Sequence, residues 1–355
     1  MPIPANLQAP QIQEWNLGIQ RQFTNQWFAT ATYIGNHGLH ELNQIELNPA
    51  ILVGGVCNPA TTPPQVDNGE TPDPSCSSPD NLNPRRMLNL QNPAKAQDIG
   101  YLTAYDSSAT SDYNGLLLST TYRLGCKLTF NANYTWSHCV GDIGVGDTVP
   151  PPGQNTPHNY VGGNRRLDRG NCAWDVRQIF NLTAVAQSPH FSGPSFLGRL
   201  TSDWRLSVIY QYRTGQALNL NTGVDNELNG QTAFSFEEPN QVLPNPYGSS
   251  RLQYLNPAAF TTPALGTYGN VGVFSLTGPS FWEFDTALSR IITIGEHQSL
   301  EVRWEVFNIT NSMRPLVTSP GNPNNPFTTL NSGTFGQITQ SYDPRIMQFA
   351  MKYVF

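Results

Sequence analysis

The chain has 355 residues, with 19 Lys and Arg against 25 Asp and Glu, a formal net charge of -6 and a pI near 5.5. That balance excludes a nucleic-acid binder built on clustered cations, and 12% charged residues with 30 Gly, 29 Pro and 11% aromatics exclude a helical bundle or coiled coil. Mean hydropathy is -0.38 and no apolar run reaches the roughly eighteen residues of a transmembrane helix, a test that a membrane β-barrel escapes because only its alternate residues are apolar.

Residues 1–15 carry neither a basic n-region nor an apolar h-region, so no signal peptide is expected there, which points to a partial reading frame if the protein is exported. Strand-like segments with period-2 alternation then fall at about 12–23, 26–35, 112–124, 127–138, 174–188, 202–214, 281–293, 297–308 and 344–355, with a weak pattern at 334–341 read as loop or a short extension. In the first, Trp15, Leu17, Ile19 and Phe23 stand against Glu14, Asn16, Gln20 and Gln22. Further along, Leu128, Phe130, Ala132, Tyr134 and Trp136 alternate with Thr129, Asn131, Asn133, Thr135 and Ser137, and Trp204, Leu206, Val208, Tyr210 and Tyr212 with Asp203, Arg205, Ser207, Gln211 and Arg213. Leu300, Val302, Trp304 and Val306 oppose Glu301, Arg303 and Glu305. At the end of the chain Met347, Phe349, Met351, Tyr353 and Phe355 oppose Gln348, Ala350 and Lys352. A strand with hydrocarbon on one side and water on the other has this form.

Connection lengths sort the same way. Tight turns fall near Thr24-Asn25, Leu124-Gly125-Cys126 and Ile294-Gly295-Glu296, with a medium connection at about 188–201; long Asn/Pro/Gly-rich stretches fall at about 36–111, 139–173, 215–280 and 309–343. Short and long connections alternate strictly, as short periplasmic turns and long extracellular loops do in outer-membrane barrels. Sandwiches, jelly rolls and propellers share the alternation. The long strands, the loop sorting and aromatics at strand ends (Trp15, Phe23, Trp27, Tyr33, Trp136, Trp174, Trp204, Tyr212) favour an all-β, antiparallel transmembrane β-barrel. It is partial, with about ten strands (nine, or ten if 36–111 hides one) and long extracellular loops.

No catalytic constellation is found. His37, His40, His138, His158, His190 and His297 are scattered in loops and turns without metal-ligand spacing, and the adjacent His138 and Cys139 point to opposite faces of a strand. Asp67, Glu70, Asp73 and Asp80 crowd one loop without EF-hand spacing and read as a solvated acidic loop. Arg165, Arg166 and Arg169 read as a solvated patch, and sequons at Asn133, Asn181 and Asn308 lie on strands. No enzyme activity, cofactor or metal is expected. Cys57 with Cys76, and Cys139 with Cys172, bracket loops and suit two disulfides of an oxidising compartment, leaving Cys126 over. Arg177, Arg205, Arg213, Glu301, Arg303 and Glu305 are candidates to line the lumen, by pairing across strands or by touching a ligand.

The closing region, Arg303-Trp304-Glu305-Val306-Phe307-Asn308-Ile309-Thr310-Asn311, then Thr334-Phe335-Gly336-Gln337-Ile338, then Pro344-Arg345-Ile346-Met347-Gln348 and the terminal Phe355, resembles the C-terminal barrel of Oar-like TonB-dependent receptors of the acidobacterial type. Trp15-Asn16-Leu17 with Gln20-Arg21, Tyr33-Ile34-Gly35-Asn36-His37-Gly38, Tyr113-Asn114-Gly115-Leu116, Tyr134-Thr135-Trp136-Ser137, Arg169-Gly170 before Asp175-Val176-Arg177, and Thr214-Gly215-Gln216 agree in order and spacing. The resemblance implies that residues 1–355 are the C-terminal part of such a barrel, without the plug or the N-terminal carboxypeptidase-regulatory-like domain of the family, and that Met351, Tyr353 and Phe355 form a C-terminal assembly signature. It further implies a place in the outer membrane and uptake or binding of a bulky ligand through loops and lumen. The partners would be outer-membrane lipid, the barrel-assembly machinery and, given an upstream plug, TonB, but no nucleic acid. A non-transporting adhesion barrel and a soluble secreted β protein are the alternatives.

Overall fold

A computed structural model describes residues 6–58, 75–96, 99–125, 127–142, 158–190, 196–230, 237–294, 298–317 and 325–355. Nine long strands dominate it: β1 (Gln11–Thr24), β2 (Trp27–Glu46), β3 (Thr103–Leu124), β4 (Leu128–Gly141), β5 (Gln178–Gln187), β6 (Trp204–Arg213), β7 (Phe281–Thr293), β8 (Ser299–Phe307) and β9 (Ile346–Val354). Each pairs antiparallel with the next, so sequence order is spatial order. A two-residue strand, Gly170–Asn171, extends the sheet beside Val140 and Gly141 of β4. The sheet is open: β1 pairs with β2, β9 with β8, and the two edges are not joined to each other. No helix among the described residues is long and apolar enough to cross a membrane.

The register carries the alternation from strand to strand. One transverse row runs Leu124, Leu128, Ala186, Leu206, Leu288, Trp304 and Phe349, each residue opposite the next. Another runs Leu17, Tyr33, Leu116 and Trp136. Because a slip of one residue would exchange the two faces, only this pairing builds one continuous apolar surface. The other face carries Ser207, Ala287, Glu305 and Gln348 in one row and Arg205, Ser289, Arg303 and Ala350 in the next. The apolar face has nothing packed on it: Leu17, Ile19, Phe349 and Met351 are 67–77% exposed. In water such a face would be a severe liability.

The buried core lies elsewhere, in the long connections. Leu218, Leu220, Leu255, Phe260, Leu276, Phe327, Phe335 and Ile338 form one cluster drawn from 214–280 and 308–345. Ribbons of two residues each, Ala217–Leu218 with Leu276–Thr277 and Asn240–Gln241 with Phe260–Thr261, hold it together. All the long connections thus gather at one end of the sheet and the tight turns at the other.

Two expectations about strand limits change. The stretches 36–46 and 103–111 continue the β2–β3 ladder rather than forming loop, with register shifts at Gly38/Glu41 and Glu41/Asn43 and a left-handed His40 at φ 57°. Their side chains lose clean alternation because the ladder there rises beyond the apolar band; backbone hydrogen bonding, which no side-chain pattern reports, keeps it going. His37 and His40 are therefore strand residues. Conversely β5 begins at Gln178 and leaves Trp174 in a loop, while 334–341 makes turns with isolated bridges at Gln337 and Ser341. No tenth long strand lies within the described part of 36–111. The β8 ladder ends at Asn308, in the left-handed region at φ 51°, where its amide exchanges bonds with Ser312: Oδ1 accepts from Ser312 N at 3.0 Å and Nδ2 donates to Ser312 O at 3.1 Å.

Gly215 marks the closest backbone approach in the loop assembly. A Cβ there would lie 1.8 Å from the carbonyl oxygen of Gly278, whose own N–H donates to Gln216 O at 2.8 Å. Gly215→Ala is expected to part the 217–218/276–277 ribbon at a cost of about 1–3 kcal/mol, the range for overpacking. Amide exchange at Leu218 and Leu276 should accelerate while exchange in β3 and β4 stays as in the parent protein.

Candidate functional site

The surface available to a ligand is the cap formed by the long connections together with the polar face of the sheet beneath it. Two disulfides tie the cap. Cys57 is bonded to Cys76 with Cα atoms 4.9 Å apart, and Cys139 on β4 to Cys172 with Cα atoms 5.3 Å apart. Cys126 lies outside the described residues, as do His297, Asp67, Glu70 and Asp73.

Between these ties sits a group of buried charges that sequence pattern did not single out. Arg85 is fully buried and its guanidinium donates to oxygens of two connections: Asn81 Oδ1 at 2.8 Å, Ile51 O at 2.7 Å and Ser78 O at 3.1 Å between β2 and β3, and Leu228 O at 3.0 Å between β6 and β7. Arg86 donates to Asn48 O at 2.8 Å and faces Glu46, whose carboxylate accepts from the N–H groups of Asn48 and Leu102 at 2.8 and 3.0 Å. Asp225 accepts from the N–H groups of Asn229 and Gly230, and Glu237 from that of Asn226. Arg85, Arg86 and Glu46 organise backbone of the β2–β3 connection, and Asp225 and Glu237 that of the β6–β7 connection, as a small core of loops requires when little apolar surface is on hand.

His158 completes the group. Its Nδ1 lies 2.9 Å from Asp168 Oδ1, both side chains are buried, and Tyr268 meets the ring edge-on at 5.3 Å. Burial alone disfavours the imidazolium, but the hydrogen bond and charge of Asp168, with Glu238 and Glu227 beyond it, outweigh burial and push His158 up to about 9. Burial likewise drives the Glu238 carboxyl up to about 8. Two further histidines pair with carboxylates: His37 with Asp112 at 2.6 Å and His190 with Asp203 at 3.0 Å. The signal available in the sequence was the doublets Arg85-Arg86 and Glu237-Glu238 inside Pro/Asn-rich stretches of a charge-poor chain. Of the basic group, Arg165 reaches Asp142 at 3.1 Å and Arg169 reaches Asp112 at 2.6 Å, so two of its members are tied down rather than only solvated.

On the sheet, Glu301, Arg303, Glu305 and Arg205 share the polar face, with Lys352 opposite Glu301. Arg303 Nε lies 2.7 Å from Glu305 Oε1, and Glu305 also accepts from Gln348. Arg213 belongs to a separate group at the foot of the cap: it donates to the Tyr342 hydroxyl at 3.1 Å and lies over Phe281 at 4.9 Å, while Arg314 flanks the same ring at 5.6 Å and pairs with Glu283. Arg177 stands apart. It precedes β5 and pairs with Asp175 at 2.9 Å, and Asp175 in turn accepts from the N–H of Cys139 at 2.8 Å. The six candidates thus form a wall stripe of four and two outliers that support loops.

The family model for an outer membrane beta barrel domain matches residues 2–348. Comparison with curated proteins finds no match. Among solved structures, the chain is similar to the outer membrane transporter YddB from Escherichia coli, at 10% identity and a TM-score of 0.47 over 100% of this chain and 34% of that one. It is also similar to the copper transporter OprC (9%, 0.39, over 99% and 33%) and to the FrpB iron transporter from Neisseria meningitidis (11%, 0.38, over 99% and 32%). The chain spans about a third of the length of these proteins.

Both His158 and Glu238 hold their protons more tightly in the folded cap than an unfolded chain does, so each stabilises the cap at low pH and loses that contribution as pH rises. For His158 the contribution is complete below its ordinary value of about 6.5 and is gone above about 9; for Glu238 it fades up to about 8. Amide exchange around residues 158–168 and 237–241, corrected for intrinsic rate, should quicken between about pH 7 and about pH 10. His158→Gln should flatten the upper part of that profile.

Proposed function

The chain belongs to the outer membrane beta barrel domain family and is located in the outer membrane, and from that premise we propose that it forms part of the wall of a larger receptor barrel of the Oar-like TonB-dependent type. In this reading the cap binds a bulky ligand and the polar face of the sheet lines the path inward. The observation that carries it is the cap itself: long connections welded by a buried core, two disulfides and buried, hydrogen-bonded charges over a polar-faced sheet. Such a platform is preorganised, so little ordering cost is left for a ligand to meet. The long connections then face outward and the tight turns face the periplasm.

The open edges support partial status in this reading. In hydrocarbon every backbone N–H and C=O needs a partner, and only a closed barrel supplies one to its outermost strands. The outward edges of β1 and β9 therefore pair with strands from the rest of the protein, and a plug from that remainder would carry the contact with TonB. The outer row Met351, Tyr353 and Phe355, with the last two rings 6.3 Å apart, offers the barrel-assembly machinery an apolar, aromatic strand end.

A second reading, an adhesion barrel that binds without transport, is favoured by exposed apolar side chains on the cap. Ile51, Leu52 and Val56 stand beside the Cys57–Cys76 bond, and a Cβ at Gly266 would touch Val56 and Leu52 at 3.2 and 3.5 Å. The two readings part on energy coupling. Protein purified from outer membranes, titrated with the periplasmic domain of TonB by calorimetry, should bind it one to one. No binding, together with cell-to-cell adhesion lost on deletion of the gene, would move the assignment to the surface-binding reading.

The two faces make a separate prediction. Val302→Arg or Phe349→Arg sets a charge against hydrocarbon and should cost about 2–4 kcal/mol, seen as loss of the heat-modifiable, assembled band on a gel. Gln348→Arg, on the polar face beside Glu305, should assemble as the parent does. Equal tolerance at both parities would overturn the face assignment.

A further inference from the structure

The apolar face is not uniformly bulky. One transverse row, Arg21 on β1, Ala29 on β2, Thr120 on β3 and Ala132 on β4, is small after its first member. The rows on either side are larger. Toward the cap stand Ile19, Ala31, Leu118 and Tyr134, and toward the tight turns Phe23, Trp27, Tyr122 and Phe130. The result is a groove of about 490 Å³ on the outer face, running across the strands from Arg21. Its one polar floor residue is already satisfied: the Thr120 hydroxyl accepts from Trp27 Nε1 at 2.9 Å and donates to Phe28 O at 3.2 Å.

The charge at its end is unusual for this surface. From the tight turns up to the row of Leu17, Tyr33 and Leu116, and its continuation on the later strands, the outer face carries two charged side chains, Arg21 and Arg290. Both are cations, and each stands three residues from the tight-turn end of its strand. Arg290 lies over the Trp204 ring at 5.4 Å. Arg21 lies over Phe23 at 5.5 Å, at the mouth of the groove, and forms no ion pair with a described residue. An arginine in this position lays its stem on apolar surface and lifts its head to the level of lipid headgroups, where a phosphate matches the guanidinium fork.

We propose that the groove holds one acyl chain of a glycerophospholipid whose phosphate is bound by Arg21. The proposal rests on the reading that this face meets hydrocarbon. An unbranched chain fits a floor of small side chains between one aromatic wall and one largely aliphatic wall, whereas a protein segment laid there would leave its backbone polar groups without partners. The adjoining stack of Phe23 on Trp27, with centroids 4.5 Å apart, marks the interface level at which the headgroup would sit.

Native mass spectrometry of the protein purified from outer membranes, depleted of lipid and then offered phosphatidylglycerol, tests this. One phosphatidylglycerol should be retained per chain. Arg21→Gln should weaken retention about tenfold, the loss of one charge-assisted contact of about 1.4 kcal/mol, and Arg21→Lys should weaken it less. Ala29→Leu, which fills the floor, should abolish retention, and Arg290→Gln should leave it unchanged. Diacylglycerol, which lacks the phosphate, should not be retained. Parent-like retention in Arg21→Gln or Ala29→Leu, or equal retention of diacylglycerol, would overturn the proposal. A heat-modifiable band for each variant shows that the barrel has assembled; its absence in the parent protein would instead strike at the membrane reading.

Discussion

Backbone hydrogen bonding between consecutive strands is the constraint on which this structure depends. A surface that faces hydrocarbon has no water to satisfy an N–H or a C=O, so the sheet must satisfy them internally. Between its two open edges the antiparallel meander does this with sequential neighbours alone. Because each pairing also fixes parity, the ladder that satisfies the backbone places every strand's apolar set on one side. Leu206, Leu288, Trp304 and Phe349 come from four separate strands and share one row for that reason.

With the strands' apolar side chains committed outward, the sheet has no conventional interior. The molecule's buried core is displaced into the connections, where Leu218, Leu255, Phe260 and Phe335 pack together. This core is small for the length of chain it orders, and charges supply the remainder. Arg85 joins two connections through carbonyl and amide oxygens, and the His158–Asp168 pair stands beside Glu238 in a region closed to water. Buried charges of this kind are weak contributors to net stability but strongly select one arrangement of loops. The proton affinity of His158 and Glu238 ties that arrangement to pH.

The sheet was legible in the sequence to the degree that each strand met two solvents. From Leu128 to Trp136 and from Leu300 to Val306 the alternation is clean because lipid and water demand it. From Asn36 to Glu46 it fails although the strand continues, since both faces there meet polar surroundings and nothing selects parity. The wall stripe Arg205, Glu301, Arg303 and Glu305 was legible by the same rule. Arg177 and Arg213 were grouped with it on parity alone, and tertiary contacts with Asp175 and with Tyr342 and Phe281 assign them to loop support.

The sequence by itself determined the solvent on each face, the antiparallel order of the strands and the sorting of short and long connections, because these rest on local spacing and chain connectivity. Only the tertiary structure decided how the connections pack, which charges meet, and that a row of small side chains opens a groove beside Arg21. Those features join residues far apart in the chain, as Arg85 and Leu228, 143 positions apart, are. They are fixed by register across several strands and by the fit of buried polar groups, neither of which leaves a period in the chain.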